Sequence, residues 1–345
     1  MNITYILGNG FDLNFGMATR YDDFYDHYRS IDSPNDDVKK LKASINEYVE
    51  GKSSLHKKVS KDNNWEDLEL ALGAYTKEMV SVSEFRNDFL DINTELKKYL
   101  LEQETAFLAS NPDPTGDTKK DLAQPDIYFR TRELAYISKF IKQGPNSLYI
   151  INFNYTRIIE NLTGYKGKQL ELGLSTRGYS TSIMNILHVH GVLSDVDLIL
   201  GVNDVSQIAN ESFRDSDEVT ELLVKPQTND YYDSNKNNEL ESIIAASGII
   251  IIFGASLGNT DLKWREAIKN RLNTNNCILI LYVNEPKYIL DHPHKRWDKE
   301  RFFKSQFLSL LGINENENEH SKYDTRVFVG YNTNMFIPGM NEKYR

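Results

Sequence analysis

The 345 residues predict an α/β fold, a mostly parallel sheet covered by helices on both faces. Three features point to it. Asn2 to Leu7 is a short apolar run closed by Gly8-Asn-Gly10, the form of a buried strand entering a tight turn. From residue 147 onward, near-continuous Ile/Leu/Val runs alternate with segments of helical period, as in buried parallel strands joined by crossover helices. Between the two regions lie about 140 residues in which apolar side chains recur every three or four positions.

Taken in order, Trp65, Leu68, Leu72 and Tyr75 place a helix over 65–79, with Asn63 or Asn64 as cap and Glu66 and Asp67 in its first turn. A longer helix fits 85–108 and stops before the loop Asn111-Pro-Asp-Pro-Thr-Gly116. A third fits 126–142 and is ended by Gly144-Pro145. Residues 20–145 therefore read as a helical insertion after the first strand. Residues 1–19 and 146–345 read as one Rossmann-like nucleotide-binding domain. In it, strands are expected at 147–154, 185–191, 197–201, 248–254, 277–283 and 325–331, and helices at 156–163, 239–246, 260–272 and 298–311. The polar stretch 204–238 reads as a loop or lid over the site. The run 314–319 reads as a solvated loop, and His292 to Arg301 as a solvated loop entering a helix.

Composition narrows the class. Hydrophobic residues are 40% of the chain, which excludes a disordered protein. No apolar run approaches the ~20 residues that span a bilayer, so no membrane role is expected. The N-terminus has neither the basic region nor the cleavage site of a secretory signal. The single cysteine, Cys277, sits in an apolar run and permits no internal disulfide, which agrees with a reducing cytoplasm. A net charge of −10 disfavours a chain that coats nucleic acid.

Four clusters at expected strand ends carry polar chemistry. Gly8, Asn9, Gly10, Phe11 and Asp12 follow the first strand. Two glycines there let backbone approach a phosphate, although position 13 is Leu, so the full dinucleotide fingerprint is absent. Asp12 is a ribose or catalytic carboxylate, or a helix cap. Asn152, Asn154 and Thr156 end the second strong strand, where parallel sheets collect ligands. Asn154 is placed to hold a ribose hydroxyl or a water, while Thr156 reads as a cap. His188 and His190 alternate onto one strand face before Gly191; one is a general base, and no zinc-like ligand spacing accompanies them. Gly254, Ser256 and Leu257 form a small-residue turn after the run 248–253, with Asp261 in the next helical turn, placed both to cap and to touch a ligand. Ser256 lacks the strand-turn-helix elbow of a hydrolase nucleophile. Glu66 and Glu69 share a helix face that reads more simply as solvated.

These clusters, with Thr19-Arg-Tyr-Asp-Asp-Phe24 and Trp65-Glu-Asp-Leu-Glu69, stand in an order that resembles the AbiH family of phage abortive-infection proteins over about residues 1–265. More distantly, the order resembles the sirtuin-like NAD hydrolases of defence systems: a glycine turn, an Asn motif, a His-Gly and a late Gly-x-Ser turn. That likeness implies that Gly8 and Gly10 bind phosphate, that Asn154 positions water or ribose, and that His190 is the base. It also implies that Gly254 and Ser256 lie beside the nucleotide. The chain departs at Asn9 and Phe11, where small residues are usual, and at Thr156, where an acid is usual. The four cysteines of a deacetylase zinc ribbon are missing, which counts against deacylation. The expected activity is hydrolysis of the N-glycosidic bond of NAD or a related nucleotide, with Asp12 stabilising the developing cation and no cofactor or metal required. The alternatives are a nucleotide-binding sensor without catalysis and a nuclease using His188 and His190. A homo-oligomer or a defence-system partner is the expected means of control.

Overall fold

A computed structural model describes residues 1–52, 65–110, 116–140, 144–195, 198–233, 235–285, 293–313 and 322–336. It is a mixed α/β structure around a seven-stranded, mostly parallel sheet. The strands are β1 (Asn2–Leu7), β2 (Asn146–Asn152), β3 (Leu170–Leu174), β4 (Ser180–His188), β5 (Ile249–Phe253), β6 (Ile278–Val283) and β7 (Val327–Tyr331). They lie in the order β3-β4-β2-β1-β5-β6-β7. Only β3 is antiparallel, as a hairpin on β4. This strand sets the whole sheet apart from a simple doubly wound order. It went unread in the sequence because it is a short, partly exposed edge with Gly173 inside it.

β1 is central, hydrogen-bonded in parallel to β2 on one side and β5 on the other. The chain therefore runs outward from β1 in both directions, and the carboxyl ends of β1, β2, β4 and β5 meet at one crevice. Period-two alternation divides the strand side chains between two cores. Ile3, Tyr5 and Leu7 join Leu148, Ile150, Ile249 and Ile251 on one face. Ile6 joins Ile151, Ile250, Ile252, Leu279 and Leu281 on the other.

Helices cover both faces. On the first lie α6 (Gly116–Ala123), α7 (Thr131–Phe140) and α8 (Ile158–Thr163), through Leu122, Ile137, Ile158 and Ile159. On the second lie α12 (Lys236–Ala246), α13 (Leu262–Asn273) and α14 (Pro293–Leu310), through Leu240, Ile244, Ile268 and Leu308. A third core joins α2 (Tyr21–Ser30), α3 (Asp36–Val49), α4 (Trp65–Tyr75) and the start of α5 (Val82–Ser110) to residues from 193–224. The far end of α5 contributes Phe107 to the sheet's own core. The stretch 20–145 is thus divided between two cores.

Several expected elements differ. The stretch read as a loop leading into a helix at 298 is already helical from Pro293, where α14 begins. Of the strand expected at 197–201, the described residues 198–201 form none. Leu198 and Leu200 enter the third core, and Gly201 (φ +150°) turns so tightly that a Cβ there would lie 2.1 Å from the Leu223 carbonyl oxygen. The stretch 204–238 is not a loop. It holds α9 (Glu211–Arg214), α10 (Asp217–Leu223), α11 (Lys225–Tyr232) and the start of α12, anchored by buried Phe213, Val219 and Leu223. The expected loop 314–319, and all but the last residue of 111–116, fall outside the described residues. No helix among the described residues is long and apolar enough to cross a membrane.

Candidate functional site

The site begins where two strands end side by side. Leu7 of β1 pairs with Phe253 of β5, and the turns that follow pack backbone on backbone. A Cβ on Gly8 would lie 2.4 Å from Ala255 Cα, and one on Gly10 would lie 2.5 Å from Gly254 Cα. Gly254 adopts φ +66°, a region that glycine enters without steric cost. The glycines are there for this contact. Their amides are also committed: Gly8 N–H donates to the Phe253 carbonyl (3.0 Å), Gly10 N–H to that of Gly254 (2.9 Å) and Phe11 N–H to that of Gly8 (2.8 Å). The phosphate cradle expected at Gly8–Phe11 is therefore not formed by these three donors. The Phe11 ring is fully buried between Phe15, Phe253 and Phe336 as core. Gly10→Ala is expected to cost on the order of 3 kcal/mol, the upper end of overpacking, because backbone must move to admit the methyl. A denaturant melt with an unchanged midpoint would contradict this packing.

Beside the turn, Asp12 in the short helix α1 (Gly10–Asn14) is buried and faces a cavity. Thr156 Oγ1 donates to its Oδ2 at 2.6 Å, and Asn154 Nδ2 to its Oδ1 at 3.0 Å. Burial dominates and pushes the Asp12 carboxyl up to about 7; the Thr156 hydrogen bond opposes this and the Glu104 charge adds to it. Asn154 Nδ2 also donates to the Gly8 carbonyl at 3.1 Å, so its amide hydrogens hold protein atoms. Asn154 is thereby a positioner of Asp12, and Thr156 serves Asp12 where a helix cap was expected.

The two histidines part company, against the expectation of one shared face, because the strand ends at His188 and Gly191 (φ +82°) turns the chain. His188 points behind the site: Nδ1 meets the Asn154 carbonyl at 2.8 Å and Nε2 meets Glu160 Oε1 at 2.7 Å. His190 lines the cavity, with Phe153 edge-on to its ring. Its Nε2 lies 3.5 Å from Asp261 Oδ1, and its Nδ1 is buried with no hydrogen-bond partner. Burial, then the nearby Lys225 charge, lowers the imidazole to about 4, so His190 is neutral at physiological pH.

Lys225 is the residue the sequence reading missed. Its Nζ is buried between Glu69 (3.0 and 3.1 Å) and Asp261 (2.9 Å). Burial raises Glu69 despite the lysine. Burial opposes ionisation of Asp261 too, but Lys225 and His190 prevail and hold it well below the usual carboxylate range. Glu66 and Glu69 are 9% and 5% exposed, so the solvated reading of their helix face is overturned. Glu66 accepts from Asn259 Nδ2 at 2.7 Å, and Trp65 Nε1 donates to the Thr19 carbonyl, which also receives Asn9 Nδ2. A signal for the buried acids existed: after Glu69, α4 runs Leu-Ala-Leu-Gly-Ala-Tyr with no polar face to turn to water. Lys225 had a weaker one, the apolar Leu222-Leu-Val224 just before it in a polar stretch.

One cavity collects these groups. Its walls include Gly8, Asn9, Asp12, Asn154 and His190 from the β1, β2 and β4 ends, and Gly254, Ser256, Leu257 and Asp261 from the β5 turn. Trp65, Glu66, Glu69 and Lys225 close it from the helical side. Of the candidates named from sequence, Gly10, Phe11, Asn152 and His188 lie off its wall. Among the described residues, no group of three His, Cys, Asp or Glu is arranged to hold a metal ion.

The family model for bacteriophage abortive infection AbiH matches residues 4–283, from β1 through the last residue of β6, and so includes every residue of this cavity. No curated protein matches the chain. The match spans most of the molecule, and the chain belongs to the AbiH family of phage abortive-infection proteins.

Proposed function

We propose that this cavity hydrolyses the N-glycosidic bond of NAD or a related nucleotide during infection. The observation that carries the reading is Asp12, a buried carboxyl poised near neutrality at the crevice where the sheet turns outward on both sides of β1. Such switch points are where open α/β sheets bind ligands. With β3 set aside, the parallel strands counted along the chain lie in the order third, second, first, fourth, fifth, sixth, which is that of dinucleotide-binding folds and supports a nucleotide ligand. On this reading 1–19 and 146–345 form the nucleotide-binding domain, and 20–145 is an insertion whose helix α4 roofs the site.

The chemistry suits a carboxylate-lined cavity. Cleavage develops positive charge on the ribose, which Asp12, Glu66 and Asp261 stabilise across a desolvated space. The C1′–N bond breaks with its electron pair going to the pyridine nitrogen, and nicotinamide leaves neutral. Water adds to C1′ and gives one proton to the Asp12 carboxylate, which returns it to solvent. A base near neutrality suits this task better than an imidazole lowered to about 4, so the base first expected at His190 is assigned to Asp12. His190 Nδ1, the unpartnered acceptor, orients the water or a ribose hydroxyl. Unchecked NAD loss would kill the cell, so in the cell the activity is restrained by another defence component, from which purification separates it.

His190→Ala and Asn154→Ala are each expected to lower nicotinamide release at least tenfold while the protein stays folded by circular dichroism. Full activity in either would remove that residue from the mechanism. A nucleotide-dependent rise in melting temperature without any base release would instead identify a sensor.

A further inference from the structure

The carboxylate cavity has a volume of ≈ 120 Å³, below the 300–1,000 Å³ of sites that enclose whole small-molecule ligands. It is too small to enclose a whole nucleotide, so part of such a ligand must lie outside it. A second cavity, of ≈ 710 Å³, begins on the far side of the same turn and shares Gly254, Ala255 and Ser256 with the first. Its walls are mostly apolar, with Ile252, Leu281 and Val283 at the ends of β5 and β6 and Phe303, Phe307 and Leu310 on α14, and Asn284, Gln306 and Ser309 at its polar positions. The wall formed by α14 lies beyond residue 283, outside the stretch the family model matches.

The turn between the cavities is chemically open. Among the described residues, the Ala255, Ser256 and Leu257 amides donate to no acceptor, whereas those of Gly8, Gly10 and Phe11 are all committed. Gly254 (φ +66°) and Leu257 (φ +49°) bracket the turn in left-handed conformations, and Ser256 is exposed. Consecutive free amides with a hydroxyl suit an anion, and a groove walled by aromatic and aliphatic side chains suits a nucleobase.

We propose that the groove between the β5–β6 ends and α14 is a subsite for a second nucleobase, so that the substrate is a dinucleotide straddling the Gly254–Gly258 turn. Its pyrophosphate rests on the Ala255–Leu257 amides, its distal base lies against Phe303 and Phe307, and its scissile bond lies in the carboxylate cavity. This rests on the glycohydrolase reading for the identity of the bond that breaks.

Ser309 is exposed, lines the groove and touches none of the catalytic groups, so Ser309→Trp fills the groove. The wild type is expected to turn over NAD at least tenfold more efficiently, in kcat/KM, than nicotinamide mononucleotide, which has the same scissile bond and no second base. Ser309→Trp should bring NAD down to the mononucleotide's level and leave the mononucleotide unchanged; Gln306→Trp, on the same exposed face, replaces it if it fails to fold. Equal efficiency on both substrates in the wild type, or an equal loss on both in the variant, overturns the subsite. If neither substrate is cleaved, the glycohydrolase reading fails and the subsite is judged by calorimetry with ADP-ribose. Binding at least tenfold weaker in Ser309→Trp upholds it, and no binding to the wild type overturns it.

Discussion

Turnover is expected to rise with pH as a single ionisation near 7, and Asp12→Asn to abolish the rise and lower the rate by about 10²–10⁴, the range for a general base. Loss of activity alone would not separate chemistry from folding, but stability moves the other way. The folded carboxyl, near 7, binds its proton more tightly than an unfolded aspartate at 3.8. Its burial therefore weakens the fold most fully above pH 7, and that cost fades as pH falls from about 7 toward 4. Asn keeps the shape without the charge. The melting temperature of Asp12→Asn should exceed that of wild type at pH 8, with the gap closing by pH 5. An inactive variant that is also less stable at pH 8 would mark Asp12 as a structural acid.

The largest stability effect is expected at Lys225. Lys225→Met removes the only cation against Glu69 and Asp261 among the cavity's lining residues and leaves two buried carboxyls facing each other. Removing one member of such a buried set costs about 3–5 kcal/mol. The cost should be greatest at pH 8 and smaller at pH 5, where Glu69, already raised by burial, takes up a proton. Urea melts at the two pH values measure it. A midpoint unchanged at both would mean that Lys225 reaches solvent and that α11 does not close the cavity.

Much of the frame was legible because buried parallel strands announce themselves. The runs Ile249–Phe253 and Ile278–Val283 are apolar on both faces and bounded by turn residues, and the structure keeps them as strands. The polar clusters at the strand ends were legible for the same reason, since position after a strand predicts the crevice. What could not be read was how the pieces face one another. The glycine turn looked like a phosphate loop, yet its glycines answer to the β5 turn some 240 residues away, about the separation of Gly10 and Gly254 in the chain. His188 and His190 looked equivalent until the strand end sent one to Glu160 and the other to Asp261. Lys225 lay in a stretch whose polarity suggested a loop, because three short helices with one to three buried residues each, several of them polar, leave little apolar periodicity.

The central claim is that the Asp12 cavity breaks an N-glycosidic bond. Purified wild type and Asp12→Asn, incubated with NAD and resolved by chromatography, test it most directly. The expected result is nicotinamide and ADP-ribose in equal amounts from wild type and at least a hundredfold less from the variant. Wild type that leaves NAD intact, or a variant that releases nicotinamide as fast as wild type, would contradict it.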